Sequence, residues 1–493
     1  MLIRHQHSPA EIESLVGWFP HDLVLGGVIR ESSSGERFDV SNPATGELIT
    51  TVASASVEDG LASVRAAEAA LPAWSAMPPR DRAEILRAAF ELMRARSEDL
   101  ARLIVLENGK SLTDARGEIA YAAEFFRWYS EECVRLLGSV QVSPNGQNRI
   151  LVSHQPIGVS VLVTPWNFPA AMATRKIAPA LAAGCTVILK PASDTPLTAL
   201  AIGQLLTDAG VPAGVVNILP SRKSGSVVGA MLDDPAVRKL SFTGSTEVGR
   251  ILLAAAATSV VNCSMELGGN APFLVFGDAD LDAAVDGAMI AKMRNGGEAC
   301  TAANRFYVHT SVAEEFAARL SKRMGALTMG DGLEDSVALG PLINEEARVK
   351  VAGLVGAARA AGARTIEGGT ADDGIGYFYP PTVLVDVAPG SPILREEIFG
   401  PVAPIVTFDT DDEAVRLANN TEFGLVSYVY TADLSRGLAV SQRLESGMVG
   451  LNRGLVSDPA APFGGFKQSG LGREGGHEGM LEFTESQYIA VSW

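Results

Sequence analysis

Apolar residues in the central third of the chain alternate between strand-like runs and helix-like spacing. Short apolar runs predict strands at 159–163, 186–190, 215–219, 237–244 and 260–267. Three- and four-residue spacing predicts helices at 170–183, 196–209, 224–232 and 246–257. Such alternation predicts βαβ units around a parallel sheet that is covered on both faces. Ligands of such a sheet bind beyond the carboxyl ends of its strands.

The segments on either side of this region have different patterns. The first third has mostly helical spacing, at 57–75, 80–96 and 98–135. Residues 138–158 alternate apolar and polar positions around an Asn-Gly pair, which predicts a β-hairpin. The hairpin is either an arm for a partner subunit or an edge hairpin of its own domain.

A second α/β series follows the first. We predict strands at 272–276 and 305–309, in VAPIVTF and in VSYVYT, helices at 281–294 and 312–324, and an extended C-terminal segment.

Composition places limits on the partners of the protein. The chain has 493 residues, of which 47% are hydrophobic and 20% charged, so we expect a globular protein of about two to four domains. Its net charge of −17 disfavours nucleic acid and anionic lipid as partners. A small anionic substrate would therefore need a local basic pocket.

The cysteines and histidines exclude other classes. Four widely spaced cysteines with no C-x-x-C pair do not suggest a disulfide framework. We see no apolar signal-peptide core and no run of about 18 apolar residues, so a cytoplasmic location without a membrane span is expected. Six histidines without an H-E-x-x-H motif make a metal site improbable, and we predict none.

Several short motifs are ambiguous when taken singly. GLGREG at 470–475 matches a dinucleotide fingerprint but follows no predicted strand, so we interpret it as a mobile glycine-rich loop. FTGSTEVG at 242–249 joins a strand to a helix start, where backbone N–H groups bind pyrophosphate or a Ser/Thr residue simply caps the helix.

Three further segments contain candidate chemistry. TPWNFP holds the Asn167 amide in a stiff loop, as an oxyanion donor or merely a rigid turn. MELGGN places Glu266 at a strand end, as a base of raised pKa or a solvated carboxylate. Cys300 lies among glycines and alanines in RNGGEACTAANR, a setting that leaves the thiol accessible.

Taken in order, the motifs resemble those of the aldehyde dehydrogenase superfamily. They are PWNFP, LKPAS, FTGSTEVG, ELGGN, the GEAC loop, EEIFGP and PFGGFKQSGLGRE, and they cover essentially the whole chain. Some relatives carry a second cysteine beside the first that can form a redox-switch disulfide, whereas this chain has Thr301 and Ala302 there.

The resemblance implies an α/β architecture. It implies a Rossmann-like cofactor domain (1–137 and 159–266), a second α/β catalytic domain (267–483) and a small β oligomerisation arm (138–158 and 484–493). It also implies a homodimer or homotetramer.

The resemblance assigns the chemistry as well. Cys300 would be the nucleophile, Asn167 would hold the oxyanion of the thiohemiacetal, and Glu266 would activate the water that hydrolyses the thioester. Glu298 is expected to be structural. The implied cofactor-binding residues are Thr164, Pro165, Trp166, Lys190, Ala192, Ser193, Gly244, Ser245, Leu267, Glu397 and Phe399.

The choice between NADP and NAD follows from Ser193. Family members that use NAD often have Glu at this position, and its carboxylate repels a 2′-phosphate. Serine removes that repulsion and Lys190 can pair with the phosphate, so we expect NADP to be preferred and NAD to be possible.

The acyl side of the site contains basic residues. Arg175, Arg294 and Ser457 resemble the three positions by which succinate-semialdehyde dehydrogenases hold the distal carboxylate, although both arginines could instead have surface or helix-end roles. We therefore expect oxidation of succinate semialdehyde. Alternatives are glutarate semialdehyde, one methylene longer, and broad specificity. Less favoured are a thiol hydrolase or acyltransferase using His309 as base and a non-catalytic relative.

Overall fold

The computed structural model describes residues 2–3, 8–371 and 374–492. Residues 1, 4–7 and 493, which the predicted domain segments 1–137 and 484–493 include, lie outside the described residues. Residues 372 and 373, within the predicted catalytic domain, also lie outside them.

Helices begin mostly at polar caps or prolines and end mostly before glycine or polar residues. Ser56, Ser111 and Ser245, for example, each accept a backbone N–H of the helix they precede. The α-helices are α1 (Pro9–Val16), α2 (Val57–Ala76), α3 (Pro79–Ala95), α4 (Ser97–Asn108), α5 (Leu112–Glu132), α6 (Pro169–Ala183), α7 (Leu197–Asp208), α8 (Ser224–Leu232), α9 (Thr246–Ala257), α10 (Leu281–Met293), α11 (Ala313–Gly325), α12 (Glu345–Ala360), α13 (Asp411–Asn419), α14 (Leu434–Arg443) and α15 (Glu478–Leu481). Short 3-10 turns cover Cys133–Arg135, Arg294–Gly297 and Pro392–Leu394.

The central strands are short apolar runs that are buried along their whole length, as expected for a sheet covered on both faces. The strands are β1 (Leu23–Leu25), β2 (Val28–Arg30), β3 (Arg37–Ser41), β4 (Leu48–Ala53), β5 (Ser139–Val142), β6 (Arg149–Pro156), β7 (Val159–Val163), β8 (Thr186–Lys190), β9 (Val216–Ile218), β10 (Val237–Thr243), β11 (Asn262–Glu266), β12 (Ala271–Val275), β13 (Ala303–His309), β14 (Arg364–Glu367), β15 (Thr382–Val385), β16 (Val402–Phe408), β17 (Phe423–Gly424), β18 (Val426–Tyr430), β19 (Met448–Leu451), β20 (Phe466–Lys467), β21 (Gly470–Leu471) and β22 (Thr484–Val491).

Two large sheets form the scaffold. The first has the order β2-β1-β9-β8-β7-β10-β11-β21, and its five strands from β9 to β11 run parallel. The second has the order β14-β15-β16-β13-β12-β18-β19 and is parallel from β15 to β19. The predicted α/β class with parallel sheets is confirmed.

A third, antiparallel sheet joins distant segments. β22 pairs with β6, which in turn pairs with β5, so the hairpin around Gly146 and the C-terminal strand form one three-stranded sheet. Val140 and Val142 on its edge strand are exposed.

The helices predicted at 57–75, 80–96 and 98–135 are confirmed as α2 to α5, whereas residues 23–53, for which no element was predicted, contain the strands β1 to β4. β1 and β2 have three residues each, and β2 is fully exposed. Runs that short carry no usable period, and tertiary pairing of β1 with β9 decides their conformation.

Helix α6 follows β7, packs against α5 and β8, and is buried along its whole length. Its sequence is alanine-rich, with Pro169 at the first turn and Gly184 in the left-handed region at its end. Because every residue of α6 is buried, its two charged side chains, Arg175 and Lys176, require partners inside the protein.

In the part of the chain that the structure describes, no helix is both long and apolar enough to cross a membrane.

Candidate active site

The cysteine loop lies between the two large sheets, and its glycines allow close backbone contacts. A Cβ on Gly297 would lie 2.3 Å from the carbonyl oxygen of Gly400, and one on Gly269 would lie 2.4 Å from that of Cys300. Asn295, Gly296 and Gly297 all have positive φ. The small residues around Cys300 are therefore required by backbone packing as well as by access to the thiol.

Burial raises the pKa of the half-buried Cys300 thiol to about 12. The charges of Glu397 and Glu266 raise this pKa further, whereas Arg175 and Arg294 lower it. The free protein thus holds a neutral thiol, so nucleophilic attack requires a base or an added positive charge.

Asn167 lies in the loop between β7 and α6 and is 4% exposed. Its side-chain Nδ2 donates to the carbonyl oxygen of Glu298 at 3.0 Å, two residues before Cys300. The structure therefore brings the predicted oxyanion donor to the cysteine loop. The carboxyl group of Glu298 accepts the N–H of Ile343 at 3.1 Å, which agrees with the structural role expected for it.

Glu266 ends β11 and is 4% exposed. Burial raises its pKa well above the usual value, and the nearby charge of Glu474 raises it further, against the opposing effects of Lys176 and Arg175. The sequence did not single out Glu474 or Lys176. Glu474 is hydrogen-bonded to Lys176 and lies 3.4 Å from Arg175.

Glu474 belongs to the GLGREG segment, and the prediction of a loop there is wrong over Gly470–Leu471. Gly470 and Leu471 form β21, an edge strand paired with Met265 and Glu266 of β11. A Cβ on Gly470 would lie 1.9 Å from the carbonyl oxygen of Met265, so glycine permits this pairing. The segment is glycine-rich because it packs against the candidate base, not because it binds a dinucleotide.

A cavity of about 650 Å³ opens on one side of Cys300. Every predicted cofactor-binding residue lines it, namely Thr164, Pro165, Trp166, Lys190, Ala192, Ser193, Gly244, Ser245, Leu267, Glu397 and Phe399. Ser245 also caps α9 by accepting the N–H of Val248 at 3.3 Å, which confirms the capping interpretation, while pyrophosphate binding at this helix start stays a prediction.

Two features near Cys300 fit the ribose and ring of a nicotinamide. The N–H of Gly269 donates to Glu397 Oε1 at 3.2 Å, which anchors the carboxylate that would accept ribose hydroxyls. Burial raises the pKa of Glu397 to about 7. Phe399 has a positive φ and contacts Trp166 edge to face, with ring centroids 5.4 Å apart.

The far end of the cavity contains Lys190 and Ser193. Lys190 is 5% exposed, and burial lowers its pKa to about 8 although Asp194 opposes this. A buried amine that forms no ion pair within the described residues fits a phosphate ligand, because such a ligand would favour its charged form. The cavity as a whole therefore fits a nicotinamide dinucleotide.

Two buried asparagine side chains, which the sequence analysis did not single out, hold the loop that carries Glu397. Asn270 Nδ2 donates to the carbonyl oxygens of Leu394 and Arg395 at 3.0 and 3.2 Å. Asn304 donates to Asn270 and to the carbonyl oxygen of Glu396, both at 2.9 Å. These bonds position the loop on the second sheet.

On the other side of Cys300, Arg175 is 3% exposed, and its guanidinium carbon lies 4.2 Å from the ring centroid of Phe463. The buried Tyr121 phenol is influenced by the charges of Arg175 and Arg294 and interacts with the hydroxyl of Ser457. The predicted substrate residues thus converge on Tyr121, which the sequence did not indicate.

Arg294 is also held by an aromatic ring. Its guanidinium carbon lies 4.9 Å from the ring centroid of Phe168, next to Asn167. The charges of both arginines lower the pKa of Cys300. A carboxylate on a bound aldehyde would find two guanidinium groups here.

His309 does not meet the needs of the hydrolase alternative. His309 is the last residue of β13, whereas Cys300 lies before its first residue, so roughly 20 Å of extended backbone separate the two residues. Its ring bonds Ser311 at 2.8 Å and packs against Phe408. The site therefore contains a thiol, an amide donor, a buried carboxylic acid and a dinucleotide-sized cavity, but no histidine base from this strand.

Comparison with known proteins agrees with this geometry. Residues 29–489 match the model of the aldehyde dehydrogenase family. The succinate-semialdehyde dehydrogenase of Paenarthrobacter nicotinovorans is 56% identical over 90% of this chain and 99% of its own length. The NADP(+) succinate-semialdehyde dehydrogenase of Escherichia coli is 47% identical over 96% of this chain and 98% of its own.

Two further matches bear on substrate and fold. A glutarate-semialdehyde dehydrogenase of Pseudomonas aeruginosa is 46% identical over 96% of this chain and 98% of its own. The crystal structure of an NADP-dependent E. coli enzyme superposes with a TM-score of 0.95 at 47% identity, covering 98% of this chain and 99% of that one.

Proposed function

The chain belongs to the aldehyde dehydrogenase family, and from this premise we propose that it oxidises succinate semialdehyde to succinate with NADP. The proposal takes the substrate from the chemistry of the acyl side of the site and from the names of similar enzymes. It takes the cofactor from the cavity around Lys190 and Ser193.

The observation that carries the proposal is the convergence of Arg175 and Arg294 on Cys300 in a chain of net charge −17. Both guanidinium groups pack on aromatic rings beside the thiol. Two fixed positive charges at the acyl side would select an aldehyde with a distal carboxylate. With Ser457 they form the proposed carboxylate site.

The proposed reaction begins with attack of the Cys300 thiolate on the aldehyde carbon, which gives a thiohemiacetal. The amide of Asn167 would donate to the developing oxyanion because its loop is fixed beside the cysteine loop. A bound nicotinamide would accept the hydride, which converts the thiohemiacetal into a thioester.

Glu266 is proposed to take a proton from the water that hydrolyses the thioester. Its pKa is raised, so it binds that proton more readily than an exposed carboxylate would. Burial is the main cause of this rise; in the neighbouring ion pair, the charge of Glu474 adds to the rise and that of Lys176 opposes it.

NADP is the proposed preferred cofactor, and NAD remains possible. Lys190 and Ser193 lie together in the cavity, and neither would repel a 2′-phosphate. The name of the E. coli relative, which specifies NADP(+), supports this proposal.

Glutarate semialdehyde is the second candidate substrate, because the P. aeruginosa relative is named for it. One methylene changes binding by only about 1–3 kcal/mol, so both aldehydes could be turned over at different rates.

The remaining assignments are proposals as well. We propose that residues 1–137 with 159–266 form the cofactor domain, 267–483 the catalytic domain, and 138–158 with 484–493 an oligomerisation arm. The exposed edge strand β5 supports a homodimer or homotetramer. A cytoplasmic location agrees with the four free thiols in the described residues.

The test is a panel of acidic and neutral aldehydes with NADP and NAD, followed by absorbance at 340 nm. We expect succinate semialdehyde to be preferred, and Arg175→Met and Arg294→Met to raise its KM without improving propanal. Cys300→Ser should abolish NADPH formation while NADPH binding, measured by fluorescence, is retained. Equal turnover of propanal and succinate semialdehyde by the wild type would contradict the carboxylate site.

A further inference from the structure

A fully buried ion pair lies directly behind the proposed oxyanion donor. Lys110 follows α4, and its Nζ donates to Glu118 Oε2 at 2.6 Å; neither side chain has any exposure. The same Nζ donates to the backbone carbonyl of Asn167 at 2.7 Å. A pair of charges buried in this way is costly and seldom improves stability over an apolar pair, so its position calls for a functional reason.

Glu118 binds the other side of the same turn. Its Oε1 accepts the N–H groups of Ala170 and Ala171 at 2.8 and 3.2 Å, in the first turn of α6. A carboxylate at a helix N-terminus is favoured by the helix dipole. The pair therefore bonds the backbone both at Asn167 and three and four residues after it.

A second side chain ties this turn to the cysteine loop. Asn295 has φ of 53°, and its Nδ2 donates to the carbonyl oxygens of Asn167 at 2.9 Å and of Glu298 at 3.0 Å. Asp114 accepts the N–H of Asn295 at 3.0 Å. Asn167 and the loop that leads to Cys300 thus share one frame of buried hydrogen bonds.

We propose that Lys110 and Glu118 are positioning residues that hold the Asn167 amide where the oxyanion of the thiohemiacetal develops. This inference rests on the proposed function, because it assigns a role within that reaction. Oxyanion stabilisation depends on a donor that is oriented before reaction, and a displacement of about 1 Å can cost roughly 100-fold in rate. The charges fix the backbone of Asn167 and do not contact the substrate.

The main test is the double variant Lys110→Met/Glu118→Gln, which removes both charges and leaves no lone buried charge. The Gln amide oxygen can still accept from Ala170 and Ala171. We expect kcat to fall about 10- to 100-fold, with KM for the aldehyde and Kd for NADPH changed by less than about twofold.

Glu107→Gln is the matched control. Glu107 is equally buried and accepts the N–H groups of Leu197 and Thr198 at 2.7 and 2.9 Å, so it caps α7 as Glu118 caps α6. It makes no hydrogen bond to Asn167 in the described structure. The kcat of the Glu107→Gln variant should equal that of the wild type, even if its Tm is lower.

A double-mutant cycle separates positioning from a general structural effect. In an Asn167→Ala background, replacing Lys110 and Glu118 should cause no further loss of kcat. A further loss of full size would overturn the inference, and so would a folded double variant with wild-type kcat. If the double variant does not fold, the single Glu118→Gln variant, which keeps the cap on α6, enters the same cycle.

A crystal structure of the double variant gives a readout that does not depend on turnover. We expect the Asn167 amide to be displaced from the Glu298 carbonyl, and an unmoved amide would overturn the inference. A wild type that fails to reduce NADP with every aldehyde of the panel would instead refute the proposed function, so the two failures are distinguishable.

Discussion

Ser193→Glu should convert the proposed NADP preference into a preference for NAD. Ser193 lines the cavity with Lys190 and is only partly exposed. A glutamate at this position would place a carboxylate where the 2′-phosphate of NADP is proposed to bind. The same carboxylate could accept the free ribose hydroxyls of NAD.

The size of the effect follows from charge separation and exposure. Two unit charges about 4 Å apart repel by roughly 4 kcal/mol at an effective dielectric of 20. Water in the open cavity screens part of this repulsion, and Lys190 offsets part, so we expect a net loss of about 2–3 kcal/mol. That corresponds to roughly a 30- to 150-fold weaker binding of NADPH.

The assay is a fluorescence titration of NADPH and NADH on the wild type, Ser193→Glu and Ser193→Gln. Gln has the size of Glu without its charge, so it separates repulsion from crowding. NADPH should bind Ser193→Glu at least about tenfold more weakly than Ser193→Gln, and NADH should not. Equal NADPH affinity of the two variants would show that no phosphate lies near residue 193.

Three other properties can be tested in the same way. Because burial lowers the pKa of Lys190 to about 8, NADPH affinity should fall as pH rises through 8 while NADH affinity stays constant. Titrations of both cofactors from pH 7 to 9.5 measure this, and parallel curves would exclude a Lys190–phosphate bond. Because the charge of Glu474 raises the pKa of Glu266, Glu474→Gln should move the ascending limb of the kcat profile to lower pH, and a shift to higher pH would contradict this coupling. Val140→Asp with Val142→Asp on the exposed strand β5 should reduce the oligomer mass in light scattering without loss of secondary structure, unless β5 lies outside the interface.

The sequence predicted the parts of the fold that have strong local signals. The βαβ alternation from Val159 and the motifs around Cys300 led to the α/β class and to the family, and both are confirmed. The four strands from Leu23 to Ala53 were missed, and for β1 and β2 the reason is their length, because three-residue strands are specified by their partners and not by their own period.

The acid–base surroundings of Glu266 could not be read from the sequence. Glu474 lies more than 200 residues after Glu266, and it reaches Glu266 because β21 joins β11 at the edge of the first sheet. Lys176 was hidden in a helix whose every residue is buried, where the alanine-rich pattern gives no preferred face. Tyr121, Lys110 and Glu118 likewise act through contacts that only the packing of α5 on α6 creates.

Burial explains why the site can be positive inside an acidic protein. It raises the pKa of Cys300 to about 12, so the thiol is neutral near neutral pH, and it raises the pKa of Glu397 to about 7 and that of Glu266 well above its usual value, so each carboxyl group carries less negative charge than an exposed one would. The guanidinium groups of Arg175 and Arg294 keep their charge under the same conditions. The negative charge of these acids is therefore reduced while the positive charge of the arginines is kept, and an anionic aldehyde that the surface repels is attracted at the thiol.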